Sequence, residues 1–205
     1  MSRTALITNP LYPIGYKVNH YRQARRLLLA TSQAAGPLWE FQWNTTGGHV
    51  CFVNRILVNG VQTGAATAEE LQFNVKVARG FTSVDSSNVA SILRSGDNQQ
   101  INSAYSGSLL TAFVESNAAT AASGGVYTQD TDPICNGSYV TLATASTSFD
   151  GADDTICDFN PFAEGLGPLR LKAGEGFIVN LGQTKGASQG FVLNLEVAWS
   201  ECLKP

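Results

Sequence analysis

The chain has little of the chemistry on which catalysis most often depends. Only two of its 205 residues are histidines, His20 and His49, and they lie far apart in the sequence. Histidine is the commonest general base, and catalytic transition metals are typically held by clustered histidines and carboxylates. A Gly-x-Ser-x-Gly nucleophile motif is also missing. We therefore expect a protein that is not an enzyme and that needs no cofactor.

Charge is scarce and unevenly divided along the chain. Charged residues make up 14% of the sequence, against about 25% in a typical globular protein. Residues 1–39 contain five basic residues and no acid, although the formal net charge of the whole chain is −3. So few basic side chains argue against a nucleic-acid partner. Low charge is typical both of a β-rich domain and of a surface that is covered in an assembly.

Long apolar runs and paired cysteine motifs are also missing. No stretch approaches the roughly 18 apolar residues that cross a bilayer, and the run 27–30 is too short for a signal peptide. We therefore expect synthesis in a cytoplasm and no membrane partner. The four cysteines form no C-x-x-C pair, which argues against zinc. Cys135 and Cys157 flank one segment that a disulfide would bridge, whereas a cytoplasmic origin favours free thiols.

Alternation of apolar and polar residues, the pattern of half-buried strands, dominates the sequence. It is clearest at Phe191, Leu193, Leu195, Val197 and Trp199. Similar patterns predict strands at 39–43, 49–61, 71–77, 89–93, 109–115, 138–145, 169–172 and 177–181. The segment 49–61 is apolar on both faces, so it is either a central strand or lies at an interface. Together these segments predict one antiparallel sandwich of about eight strands.

Residues 1–37 are predicted to form an irregular N-terminal arm, with the sandwich at 38–205. Proline and glycine interrupt the arm, which leaves one short helical piece at about 21–30. Its apolar and basic side chains suit attachment to an acidic surface or to a neighbouring subunit. The predicted contact residues are Leu11, Tyr12, Tyr16, Tyr21, Arg22, Arg25 and Arg26. A solvated tail, or a cover over a sheet edge, fits the same composition.

A long acidic excursion is predicted at 116–167. It contains seven acids and no Lys or Arg, and it greatly exceeds the usual connection of about 4–6 residues. This length favours a projecting or partner-facing feature. The carboxylates at 150–158 suit a calcium ion, but they lack EF-hand spacing, so a solvated acidic loop is the alternative.

The aromatic residues raise a second class of function. Trp39, Trp43 and Trp199 are in phase with other strand hydrophobics, which predicts that they lie in the core. Three tyrosines are better placed to stack on sugar rings, namely Tyr105, Tyr127 and Tyr139. Their spacing carries no signature, so glycan binding stays an alternative.

Several segments resemble a family of jelly-roll virion proteins of tailed bacteriophages. The segments 169–180 (Leu-Arg-Leu-Lys-Ala-Gly-Glu-Gly-Phe-Ile-Val-Asn) and 192–201 (Val-Leu-Asn-Leu-Glu-Val-Ala-Trp-Ser-Glu) resemble its closing strands. The segments 69–73, 78–82 and 97–100 are also similar to the family, and the likeness runs from about residue 22 to 201.

The resemblance implies an all-β, antiparallel jelly-roll sandwich that serves as a structural component of the virion. The implied function is that of a capsid decoration (cement) protein that stabilises the shell, or of a collar, tail or head-fibre component. The implied partners are two further copies in a homotrimer and the major capsid protein or another virion protein. It supplies no catalytic residues. The competing expectation is a glycan-binding jelly-roll module that mediates attachment to the host surface.

Overall fold

A computed structural model describes residues 17–64, 68–93, 107–142, 154–163, 165–187 and 190–204. Within these residues the chain forms twelve strands and no helix. The strands are β1 (Lys17–Leu28), β2 (Gly36–Trp43), β3 (Val50–Gln62), β4 (Glu69–Ser83), β5 (Val89–Ser91), β6 (Ala112–Ser116), β7 (Val126–Gln129), β8 (Cys135–Thr141), β9 (Asp154–Phe159), β10 (Leu169–Leu171), β11 (Glu175–Leu181) and β12 (Phe191–Leu203). This described part accordingly has no helix of the length and hydropathy that crossing a membrane requires.

The strands form two antiparallel sheets. Sheet A has the order β1-β12-β3-β10, with β9 also paired to β3, and sheet B has the order β5-β6-β2-β11-β4-β7, with β8 also paired to β4. The strands β9 and β10 lie end to end along β3, and β7 and β8 lie end to end along β4. When each such pair is counted as one strand and the edge strands β5 and β6 are set aside, each sheet has four strands. The order of these strands is that of an eight-stranded jelly roll. The predicted fold class is therefore confirmed, and β5 and β6 extend sheet B beyond it.

The main core lies between the two sheets. All five apolar residues of the alternation predicted for β12 are at most 1% exposed. The three tryptophans are fully buried as predicted, and Phe41 stacks on Phe177 with ring centroids 4.8 Å apart. Such burial contributes roughly 1.5–3 kcal/mol for each large apolar side chain.

The strand β3 is central in sheet A, where it pairs with β12 on one side and with β9 and β10 on the other. Its residues Val53 and Ile56 both face the main core, although they are three positions apart. A β-bulge explains this spacing, because Ala198 pairs with Arg55 and Trp199 pairs with Val53, which leaves Asn54 as the extra residue. Plain alternation along 49–61 would place Ile56 and Val58 on the face opposite to Val53, so this expectation is wrong beyond the bulge.

The predicted helical piece at 21–30 is wrong, because residues 17–28 form β1. This strand pairs with β12 from Lys17 opposite Leu203 to Leu28 opposite Val192. Arginine and leucine are good helix formers, but burial of one face of a sheet overrides that preference. The sandwich therefore begins by residue 17 rather than at 38, and residues 1–16 of the predicted arm lie outside the described residues.

The sequence left open whether Cys135 and Cys157 are bridged or are free thiols. In the structure they form a disulfide. It joins β8 in sheet B to β9 in sheet A. The two strands approach so closely that a Cβ on Gly137 would collide with the carbonyl oxygen of Ile156. The disulfide holds the sheets together along one side of the sandwich, and the glycine at 137 permits the close approach.

The described part of the predicted excursion at 116–167 belongs largely to the sandwich. It supplies β7 and β8 at one edge of sheet B and β9 at one edge of sheet A. The strand predicted at 138–145 is β8, which begins earlier, at Cys135. Length alone suggested a projection because β7 and β9 are short and carry weak alternation.

Candidate functional site

Four of the seven predicted attachment residues are described, and these four do not form one surface. Tyr21 is fully buried, and its ring stacks on Trp199 with centroids 5.5 Å apart. It belongs to the core, so its prediction as a partner contact is wrong. Leu11, Tyr12 and Tyr16 lie outside the described residues.

The three predicted arginines lie on β1 at the edge of sheet A. Arg22 pairs with Glu196 of β12 at 2.5 Å, and Arg25 pairs with Glu115 of β6 at 3.1 Å. The second pair connects the two sheets. Two of the three arginines therefore have acidic partners within the chain, and Arg26 lines a groove on the outer face of sheet A.

The outer face of sheet A combines this groove with an apolar row. Leu28, Val192 and Val61 are aligned across β1, β12 and β3. Leu28 is 63% exposed. The groove has a volume of about 400 Å³, and its lining residues include Ala24, Arg26, Leu57, Asn59, Asn194 and Glu196. This face presents aliphatic, amide and charged groups side by side.

A second groove, of about 490 Å³, lies on the outer face of sheet B. Polar side chains of β4 and β8 line it, namely Glu70, Gln72, Asn74, Lys76, Asn136 and Ser138. The Asn180 amide donates to Oδ1 of Asn74 at 3.1 Å and to Oε1 of Gln129 at 3.0 Å, which fixes the Asn74 side chain. The groove therefore offers hydrogen-bond donors and acceptors on a rigid sheet.

The two predicted sugar-stacking tyrosines that the structure describes do not line this groove. Tyr139 points inward and packs against Phe191 with centroids 4.7 Å apart. Tyr127 packs edge-on against Phe81 with the same separation, and Tyr105 lies outside the described residues. Neither described tyrosine presents an open ring face to a ligand at the groove.

The candidate calcium run 150–158 is described from Asp154 onward, and its residues 150–153 lie outside the described residues. Asp158 forms a bidentate pair with Arg55, with both N–O distances at 3.0 Å. The described residues contain no group of three or more side chains placed to hold a metal ion. The Asp158 carboxylate is therefore engaged by Arg55 and does not support the calcium hypothesis.

A buried pair of acids lies on the outer face of sheet B. Glu40 is 1% exposed and Asp85 is 4% exposed. The Asp85 backbone N–H donates to Oε2 of Glu40 at 2.9 Å, and the Tyr127 hydroxyl donates to Oε1 at 3.2 Å. Burial and the hydrogen bond with the Asp85 side chain raise the pKa of Glu40 to about 8. The carboxyl therefore keeps its proton at neutral pH.

Sequence reasoning missed this site because its partners come from distant segments. Glu40 is on β2, Asp85 follows β4, and Tyr127 is on β7. Glu40 looks like an ordinary polar residue between Trp39 and Phe41. No local signal predicts that another segment covers it.

A second buried acid, Glu201, fastens the segment 107–110 to the end of β12. It accepts hydrogen bonds from the Ser108 hydroxyl, from the Leu109 backbone N–H at 2.8 Å and from Trp199 Nε1 at 3.0 Å. Burial raises its pKa, while these donors act in the opposite direction. The three donors explain why the protein tolerates a fully buried carboxyl here.

The geometry of the described residues defines an antiparallel jelly-roll sandwich with a groove on each outer face and a buried acid pair beneath a loop. No family model matches the chain, and no curated protein matches it.

Proposed function

We propose that the protein is a non-enzymatic structural subunit of a tailed-phage particle, and specifically a decoration (cement) protein that binds the assembled shell. The jelly-roll topology and the resemblance of segments 169–180 and 192–201 to virion proteins support this proposal. In this role the protein acts as a homotrimer whose main partner is the major capsid protein.

The observation that carries the proposal is the outer face of sheet A. Leu28 stands 63% exposed at the end of a row that continues through Val192, which is 4% exposed, and Val61, which is partly buried. Leu28 is therefore the apolar group that this face offers to a partner, and an apolar contact rimmed by polar groups suits binding to another protein. Arg26 and Glu196 supply such a rim in the neighbouring groove. A β-sheet face of this kind suits a shell protein better than a small substrate.

The disulfide also supports the assignment to a virus particle, because such a particle leaves the cell. Disulfides persist in oxidising surroundings and are rare in the cytosol. A virion protein is made in a reducing cytoplasm but functions outside it. The bond between Cys135 and Cys157 would then form after release.

The proposal is tested on shells that lack the protein. Added protein should bind them and raise the temperature at which they release DNA, because a ligand of the intact shell stabilises it by mass action. Leu28→Glu should abolish this effect without unfolding the protein. Val140→Glu is the matched control, since Val140 is also 63% exposed but lies on β8. Protein that leaves shell stability unchanged, or a Leu28→Glu variant that acts like wild type, would contradict the proposal.

The trimer is tested separately by analytical ultracentrifugation. We expect three copies at micromolar concentration, as the family resemblance implies. Closed cyclic symmetry is usual for soluble homo-oligomers. A monomer under these conditions would contradict this part of the proposal.

The second candidate function is glycan binding, which the groove of sheet B favours. Its Gln72, Asn74 and Asn136 amides offer both donors and acceptors, as sugar hydroxyls require. Retention on a glycan array, lost in Gln72→Ala with Asn136→Ala, would support this function. Retention without any effect on shell stability would replace the cement proposal.

A further inference from the structure

Two segments form a flap over the outer face of sheet B, one made of the end of β4 and the loop after it, the other of a loop and the start of β7. We define the flap as residues 81–88 together with residues 121–127. The backbone N–H groups of Ser86 and Ser87 both donate to the Ser123 carbonyl at 3.0 Å. The Gly125 N–H donates to Oδ1 of Asp85 at 2.7 Å, and the Asn88 side-chain amide donates to the Ala121 carbonyl at 3.0 Å. These bonds tie the two segments into one unit.

The flap is fastened to the sheet by two outward-facing residues of β2. Glu40 accepts from the Asp85 N–H and from the Tyr127 hydroxyl. Gln42 Nε2 donates to the Phe81 carbonyl at 2.7 Å. A small apolar cluster, separate from the main core, joins the flap to the sheet: Phe81 of the flap packs with Ala78 and Ile178 of the sheet, and Val84 and Tyr127 of the flap pack against them.

Among the residues that the structure describes, no cation lies near Glu40 to balance its charge. Its neighbours on adjacent strands are Ile178 of β11 and Val114 of β6, both apolar. The titratable groups that face it from the flap are Asp85 and Tyr127, and an ionised Asp85 repels an ionised Glu40. A closed flap therefore requires a proton on this acid pair, whereas an open flap gives Glu40 access to water.

We propose that the flap is a proton-operated latch, which closes when the Glu40–Asp85 pair holds a proton and opens with release of that proton, uncovering Phe81 and Ile178. The raised pKa of Glu40 agrees with this geometry. Opening becomes easier as pH rises, because the open state loses the proton near pH 4.5 and the closed state keeps it up to about pH 8. Above that pH both states are ionised and the dependence ends.

The test is native-state hydrogen exchange between pH 5 and 9, corrected for intrinsic exchange rates. The probes are the amides of Asp85, Ser86, Ser87 and Gly125, which make the flap's hydrogen bonds. In wild type their protection should fall by about tenfold per pH unit up to about pH 8 and then level off. In Glu40→Gln, a neutral side chain of the same shape, protection should vary little with pH. The control Asp132→Asn removes an exposed carboxyl and should behave as wild type.

Two results would overturn the latch. One is wild-type protection that stays constant over this range, and the other is a Glu40→Gln variant whose protection falls in parallel with wild type. If Glu40→Gln does not fold, carboxyl-carbon NMR of the wild-type protein decides the matter. A Glu40 carboxyl that titrates near the ordinary value of 4.5 would also refute the proposal.

Discussion

Reduction of the disulfide between Cys135 and Cys157 should lower the free energy of unfolding by about 3 kcal/mol. The bond closes a loop with a sequence separation of 22 residues. Restricting an unfolded loop of that length stabilises the folded state by about 3 kcal/mol in the chain-entropy description. For a domain of this size, each kcal/mol shifts the melting temperature by about 2–4 °C. We therefore expect a decrease of about 10 °C on reduction.

The assay is differential scanning calorimetry with and without a phosphine reductant, with intact mass confirming that the bond has opened. Reduction introduces no substitution, and the free thiols of Cys51 and Cys202 are buried and unaffected by it. A double Cys135→Ser, Cys157→Ser variant should melt near the reduced wild type and should not respond to reductant. A wild-type melting temperature that stays unchanged after verified reduction would refute the loop-closure argument.

Two further predictions follow from the buried acid and from the close approach of β8 to β9. The free energy of unfolding should fall by about 4 kcal/mol from pH 5 to pH 8, because the folded state keeps the Glu40 proton that the unfolded chain has lost. Urea titrations should show a smaller fall in Glu40→Gln, and an equal fall would contradict the assignment. Gly137→Ala should destabilise by about 3 kcal/mol through its collision with the Ile156 carbonyl. Gly107→Ala meets no atom within 4 Å and should melt as wild type; equal melting of the two variants would count against the collision.

The alternation of apolar residues was sufficient to predict the sandwich and most of its strands. In β12 the apolar face, from Phe191 to Trp199, is the buried face throughout. Such a long period-two pattern allows one register only, since a slip by one residue would turn every apolar side chain to water. The same rule failed in β3, where the bulge at Asn54 shifts the pattern by one position. A bulge depends on the neighbouring strand and leaves little trace in the sequence.

The candidate sites were less predictable because they depend on contacts between distant segments. Glu40 is buried only because residues 81–88 and 121–127 fold over β2. The role of Tyr21 was wrong for a related reason: the basic residues around it suggested a solvated arm, but β12 offers β1 a complete strand partner. The composition of a segment indicates which surroundings suit it on average. Strand pairing depends instead on which other strand lies beside it in the fold.

Truncation of the N-terminus separates attachment from folding. Removing residues 1–28 deletes β1, whose register with β12 extends over twelve pairs, and uncovers the Trp199 ring. We expect this variant to aggregate. Removing residues 1–16 leaves every described strand in place, so circular dichroism and thermal melting should match the full-length protein. Because this variant lacks Leu11, Tyr12 and Tyr16, it should bind shells more weakly in co-sedimentation. Full binding would place attachment on the outer face of sheet A alone, and normal folding without β1 would contradict the role of that strand.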